Sequence, residues 1–143
     1  MSMLIASLMF IPLLALAFAH FIWSLGGTWP LRNRDVLEAA LVGRRGAKTL
    51  SRRPALLGLA AMFIAAGVAA LALADHTGGG PMLTALGAAL ALLFLARGLA
   101  GYTASWRRTF PDEPFATLDR RNYSPLALML GAGFLTLVTM RLL

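Results

Sequence analysis

Four uninterrupted apolar blocks run over about 3–25, 55–74, 81–102 and 125–143 of the 143-residue chain. Each is close to the ~20 residues that a helix needs to cross about 30 Å of hydrocarbon. No block alternates apolar and polar residues as a membrane-barrel strand must. A helix satisfies its backbone within the segment and is the default in lipid. The expected fold is therefore all-α: an integral membrane four-helix bundle, one four-pass transmembrane domain spanning 1–143. Composition agrees, with 59% hydrophobic and 13% charged residues, the latter about half the usual share. A soluble domain this small leaves too much surface exposed to hide that much apolar area.

Pro54, Pro81 and Pro125 stand at or beside the first residue of a block, where a missing N–H is harmless. Pro12 lies inside the first block and is expected to kink it or to be tolerated through neighbours. Ala17-Phe18-Ala19 has the small-x-small form of a signal-peptidase site, but no cation precedes the apolar run, which continues through Phe21, Ile22 and Trp23. The first block thus reads as a retained helix.

Loop charge gives the orientation. Segment 26–54 carries Arg32, Arg34, Arg44, Arg45, Lys48, Arg52 and Arg53, and segment 103–124 carries Arg107, Arg108, Arg120 and Arg121, eleven of the thirteen basic residues. The positive-inside rule places both loops in the cytoplasm and both termini on the non-cytoplasmic side of a bacterial inner membrane. Arg141 is the dissenter at the outer end, where its head is expected to snorkel. With its cations between apolar blocks, the net charge of +7 does not point to nucleic acid, whose binders need a basic face on a soluble module.

Asp75 to Gly80 reads as a tight turn that makes the second and third spans antiparallel neighbours. In the first basic loop, Asp35 as N-cap with Glu38 three residues on resembles a capping box, and Gly43 a helix stop. A short helix along the membrane surface follows, its trailing basic cluster touching anionic headgroups; a solvated basic loop is the plainer reading. Small residues suit close helix packing: Gly58, Ala61, Ala65, Ala66, Gly67, Ala69 and Ala70 in the second block, Gly87, Ala91, Gly98 and Gly101 in the third, Gly131 and Gly133 in the fourth. They serve packing within the chain first and homo-oligomer formation second.

Polar side chains inside the blocks are few, so each is informative. His20 and Arg97 each fall five residues before the cytoplasmic end of a block, at about 7–8 Å depth. Trp23, Tyr102, Asp119 and Tyr123 belong to the same interface. The six residues His20, Trp23, Arg97, Tyr102, Asp119 and Tyr123 are the candidate binding cluster, with Arg97 and Asp119 as its ion pair. The plainer account makes Arg97 a snorkelling cation and Trp23, Tyr102 and Tyr123 belt aromatics. No catalytic residue is assigned. No cofactor or metal is expected: cysteine is absent, and His20 and His76 sit toward opposite faces, so one metal or haem cannot use both. No acidic residue lies within a span, which weakens ion-coupled transport.

The string Ala19-His20-Phe21-Ile22-Trp23-Ser24-Leu25-Gly26-Gly27 resembles the His-x-x-Trp-Ala-x-Gly-Gly start of a family of small bacterial membrane proteins known as a domain of unknown function. Leu95-Ala96-Arg97-Gly98 and the Asp-x-x-x-Tyr-Ser-Pro-Leu run from Asp119 to Leu126 are similar to its second hallmark. Members often carry Cys after that Pro-Leu, where this chain has Ala127, so no thiol role transfers. The resemblance spans nearly the whole chain and implies four helices in a bacterial cytoplasmic membrane, with no reaction attached.

Three functional readings follow. The first is a binding or accessory module whose polar cluster recognises a lipid headgroup or a membrane partner protein. The second is a small enzyme acting on a lipid or isoprenoid, His20 serving as acid/base and Arg97 as anion clamp. The third is a dimeric exporter, for which Thr136 and Thr139 offer a thin polar path. An apolar cavity beside His20 favours the second, and a solid bundle the first.

Overall fold

Each apolar block becomes one long helix: α1 over Ser2–Ser24, α3 over Arg53–Ala74, α4 over Gly80–Ala100 and α7 over Ser124–Leu142. The computed structural model describes residues 1–43 and 53–143. Short elements fill the loops at the basic end: α2 over Arg34–Val42, α5 over Ala104–Thr109 and α6 over Phe115–Leu118. A π-helical turn, Asp119–Tyr123, joins α6 to α7, giving a helical stretch of 28 residues from Phe115 to Leu142. α4, at 21 residues, is about 31 Å long at ~1.5 Å per residue, enough to span. α1 passes unbroken through Pro12, which its surroundings therefore tolerate. The chain is a multi-pass integral membrane protein.

The helices pack as two close pairs, α1 with α3 and α4 with α7, joined through α7. Phe134, Leu13, Leu73, Leu130 and Leu137 are sealed at their centre. Close approach explains the glycines: a methyl at Gly131 would fall 2.7 Å from the Leu95 backbone nitrogen, and one at Gly98 2.9 Å from that of Leu128. On α3, Ala66, Gly67, Ala69 and Ala70 are buried, whereas Gly58, Ala61 and Ala65 face outward. α3 and α4 are neighbours as the short turn requires, but their contact is slighter than either main pairing.

At the turn end, His76 and Gly79 take positive φ, 55° and 81°. Arg141 has definite partners there. It donates to the Leu73 and Gly78 carbonyls and to the Thr84 hydroxyl. The last turn of a helix leaves carbonyls without intrahelical partners, and a guanidinium with five donors reaches several at once.

At the other end α2 forms as a helix, but its N-cap is Asn33, whose side chain accepts from the Val36 N–H at 3.0 Å. Asp35 lies inside the first turn and Glu38 pairs with Arg34 at 3.7 Å, so the expected capping box does not form. Asn33 precedes the helix in an extended conformation and carries the required acceptor. Gly43 ends the helix at φ 60°, in the left-handed region that glycine adopts without strain. The apolar face of α2 turns to the bundle: Leu37 packs with Trp23 and Leu56. The basic cluster after α2, Arg44, Arg45, Lys48 and Arg52, lies outside the described residues.

Candidate functional site

The basic end of the bundle holds a half-open cavity of about 270 Å³. α1 contributes Leu16, His20 and Trp23 to its wall, α3 Leu59 and Phe63, α4 Phe94 and Arg97. Leu41 of α2, Phe115, Tyr123 and three residues of α7 (Leu126, Ala127 and Leu130) complete it. Nine of these thirteen are apolar, so the four polar-tipped side chains fix what the cavity can recognise.

His20 is 8% exposed and its ring is wedged between Trp23 and Phe63, with centroids 4.9 and 5.2 Å away. Its Nδ1 lies 2.7 Å from the Leu16 carbonyl oxygen. A carbonyl only accepts, so Nδ1 carries the proton and Nε2 of the neutral ring is an acceptor. Trp23 donates from Nε1 to the Trp29 carbonyl at 2.8 Å, pinning the loop after α1. It is more than a belt residue.

Arg97, in the last turn of α4, forms an ion pair through Nη2 with Asp119 Oδ1. The Trp106 indole donates to the other carboxylate oxygen at 3.0 Å and lies under the guanidinium, 4.6 Å from ring centroid to carbon. The three side chains make a closed set: a cation on an aromatic face, and a 2%-exposed carboxylate engaged at both oxygens. Gly101 makes room for it, since a methyl there would fall 2.8 Å from Asp119 Oδ2 and 1.8 Å from Ser124 Oγ. Arg97 makes no other hydrogen bond among the described residues, and its Nη1 is buried without a partner. An unmet buried donor costs about 1–3 kcal/mol, more when charged.

The π-helical turn holds Asp119 and Tyr123 in place. Such turns recur at functional positions because the extra residue re-aims side chains within a helix. Tyr123 donates to the Ala40 carbonyl at 3.1 Å, tying α7 to α2 above the cavity. Tyr102 lies apart from the group: it is 45% exposed and its hydroxyl donates to the Arg120 carbonyl at 3.3 Å.

The structure thus gathers His20, Trp23, Arg97 and Tyr123 on one cavity, sets Asp119 behind Arg97, and leaves Tyr102 outside. A family model described as a protein of unknown function, DUF3995, matches residues 13–134. The chain belongs to this family. The matched stretch takes in every residue of the site, from Leu16 to Leu130. No curated protein and no solved structure matches the chain.

Trp106 and Phe115 were not legible as site residues. Both lie in a short-helix loop where no periodicity points inward. Phe115 stands in an aromatic file, Trp106, Phe110, Phe115 and Tyr123, with successive centroids 4.6, 5.9 and 5.9 Å apart. The recurrence of aromatics in an otherwise polar loop was the available signal.

Proposed function

We propose that the protein binds a membrane amphiphile, holding one hydrocarbon chain in the cavity with its head at the basic, cytoplasmic end of the bundle in a bacterial inner membrane. The carrying observation is the cavity: nine apolar wall residues with His20 and Arg97 among them. At ~30 Å³ per water-sized group, its volume takes about nine such groups, hence one chain and not two. An apolar occupant would take the apolar wall out of water and so stabilise the fold.

Binding is favoured over catalysis because the reactive inventory is thin. Both Asp119 oxygens are taken, and the Ser124 hydroxyl is fully buried. The apolar cavity beside His20, with the Nε2 acceptor on its wall, is the feature expected of the enzyme reading. That reading stands second only because no further reacting group faces His20 among the described wall residues. The exporter reading draws no support from Thr136 and Thr139, whose hydroxyls bond their own helix carbonyls.

A ten-carbon chain bearing a photoreactive diazirine, applied to membranes containing the protein, tests the proposal. Cross-links are expected on wall residues such as Leu16, Phe63 and Leu130, and are expected to disappear in Ala127→Phe. Labelling confined to outward residues such as Leu92 and Val68 would contradict it. Conversion of the chain to a new product, lost in His20→Gln while labelling persists, would establish the enzyme instead.

A further inference from the structure

Resting on the cavity reading above, we propose that the amphiphile's head is electrically neutral and carries a hydroxyl, which receives a hydrogen bond from Arg97 and donates one to His20. Arg97 is the only charged residue on the described cavity wall. Its charge is already balanced by Asp119, which is 2% exposed and in direct contact with it. An anionic head would therefore add an unbalanced charge beside a largely apolar wall, where a partly buried, unpaired ion is disfavoured. What Arg97 lacks is a second acceptor for its N–H groups among the described residues. Its Nη1 is closed to water as the side chain stands, so a small turn of that one-third-exposed side chain brings it to a head in the cavity.

His20 supplies the opposite need. Its Nδ1 proton is committed to Leu16, so Nε2 has a lone pair to offer and no donor facing it among the described residues. A carboxylate or a fully ionised phosphate sets negative oxygens against that lone pair. An ammonium head sets a cation against the guanidinium. A hydroxyl has one donor and two acceptor lone pairs, and so serves both groups. Long-chain alcohols, monoacylglycerols and quinols share this chemistry. A water held between the two groups could meet the same needs beneath a headless chain, and the test separates that case.

Ten-carbon competitors are compared at equal membrane concentration for displacement of the cavity cross-linker: decane, decanol, monodecanoylglycerol, decyl phosphate and decyltrimethylammonium. The expected result is displacement by decanol and monodecanoylglycerol at concentrations at least tenfold below the phosphate and the ammonium. His20→Leu is expected to remove that advantage while decane still competes. Equal or better displacement by decyl phosphate overturns the neutral head and makes Arg97 an anion receptor. Equal displacement by decane overturns any head recognition and assigns the polar pair to water. If no competitor displaces the label, the cavity reading itself fails, which is a separate outcome. The comparison in the unaltered protein decides the matter even where His20→Leu does not fold.

Discussion

Asp119 shows how little freedom a carboxylate has at this depth. It accepts from Arg97 and from Trp106, and its second oxygen lies where a methyl at position 101 would intrude, so Gly101 is what admits it. Removing one partner of a buried pair typically costs about 3–5 kcal/mol. Because the Arg97 side chain is 33% exposed, the lower end applies here. Asp119→Asn and Arg97→Gln are each expected to lower stability by about 3 kcal/mol in detergent-solubilised thermal unfolding, and the double variant to lose clearly less than the sum. Additive losses would show the two side chains to be uncoupled. Trp106→Phe keeps the ring under the guanidinium and removes the indole donor, for an expected loss of about 1–2 kcal/mol. The pairing of Arg97 with Asp119 was legible in the sequence, since a membrane-embedded guanidinium wants a carboxylate and Asp119 re-enters at the same interface. Trp106 was not, because its loop carries no period that says which side chains turn inward. Tyr102 shows the opposite failure, sharing the depth of the cluster but pointing away from it.

Among the elements, the long helices were legible to within one or two residues at most ends, because block length and bilayer thickness leave little latitude. Of the short ones, α5 and α6 were not anticipated, whereas α2 was expected with Gly43 as its stop and forms so. Asn33 and not Asp35 caps α2, since a cap depends on the backbone entering from an extended residue. Its placement depended on tertiary partners invisible in sequence: Tyr123 bonding Ala40, and Phe115 seated against Gly43, where a methyl would fall 2.2 Å from a ring carbon. Asn33→Ala is expected to cost about 1 kcal/mol and to speed amide hydrogen exchange in α2 without altering exchange in α4. Tyr123→Phe is expected to raise exchange in α2 as well, through the unpartnered Ala40 carbonyl. Unchanged exchange in both variants would mean that α2 is held by its apolar face alone. Gly131→Ala is expected to cost about 1–3 kcal/mol, because the clash falls on the α4 backbone at Leu95 as well as on the Leu95 side chain, and the backbone cannot turn away.

At the scale of the molecule, two helix pairs share a core toward the turn end and part around a cavity toward the basic end. The sequence conveyed the number of spans and the lopsided cations, but not the cavity, because a void is set by how four faces meet. The native chain has no cysteine, so single-cysteine variants report orientation cleanly. Thr109→Cys is expected to react only after the inner face is opened and Thr77→Cys from outside intact cells; the reverse pattern would invert the bundle. The most direct test of the cavity's role is native mass spectrometry of the protein released gently from its own membrane. One neutral single-chain amphiphile per protein is expected to persist through delipidation and to be missing from Ala127→Phe. Chains that emerge bare, or with only exchangeable two-chain phospholipids indifferent to that substitution, would contradict it.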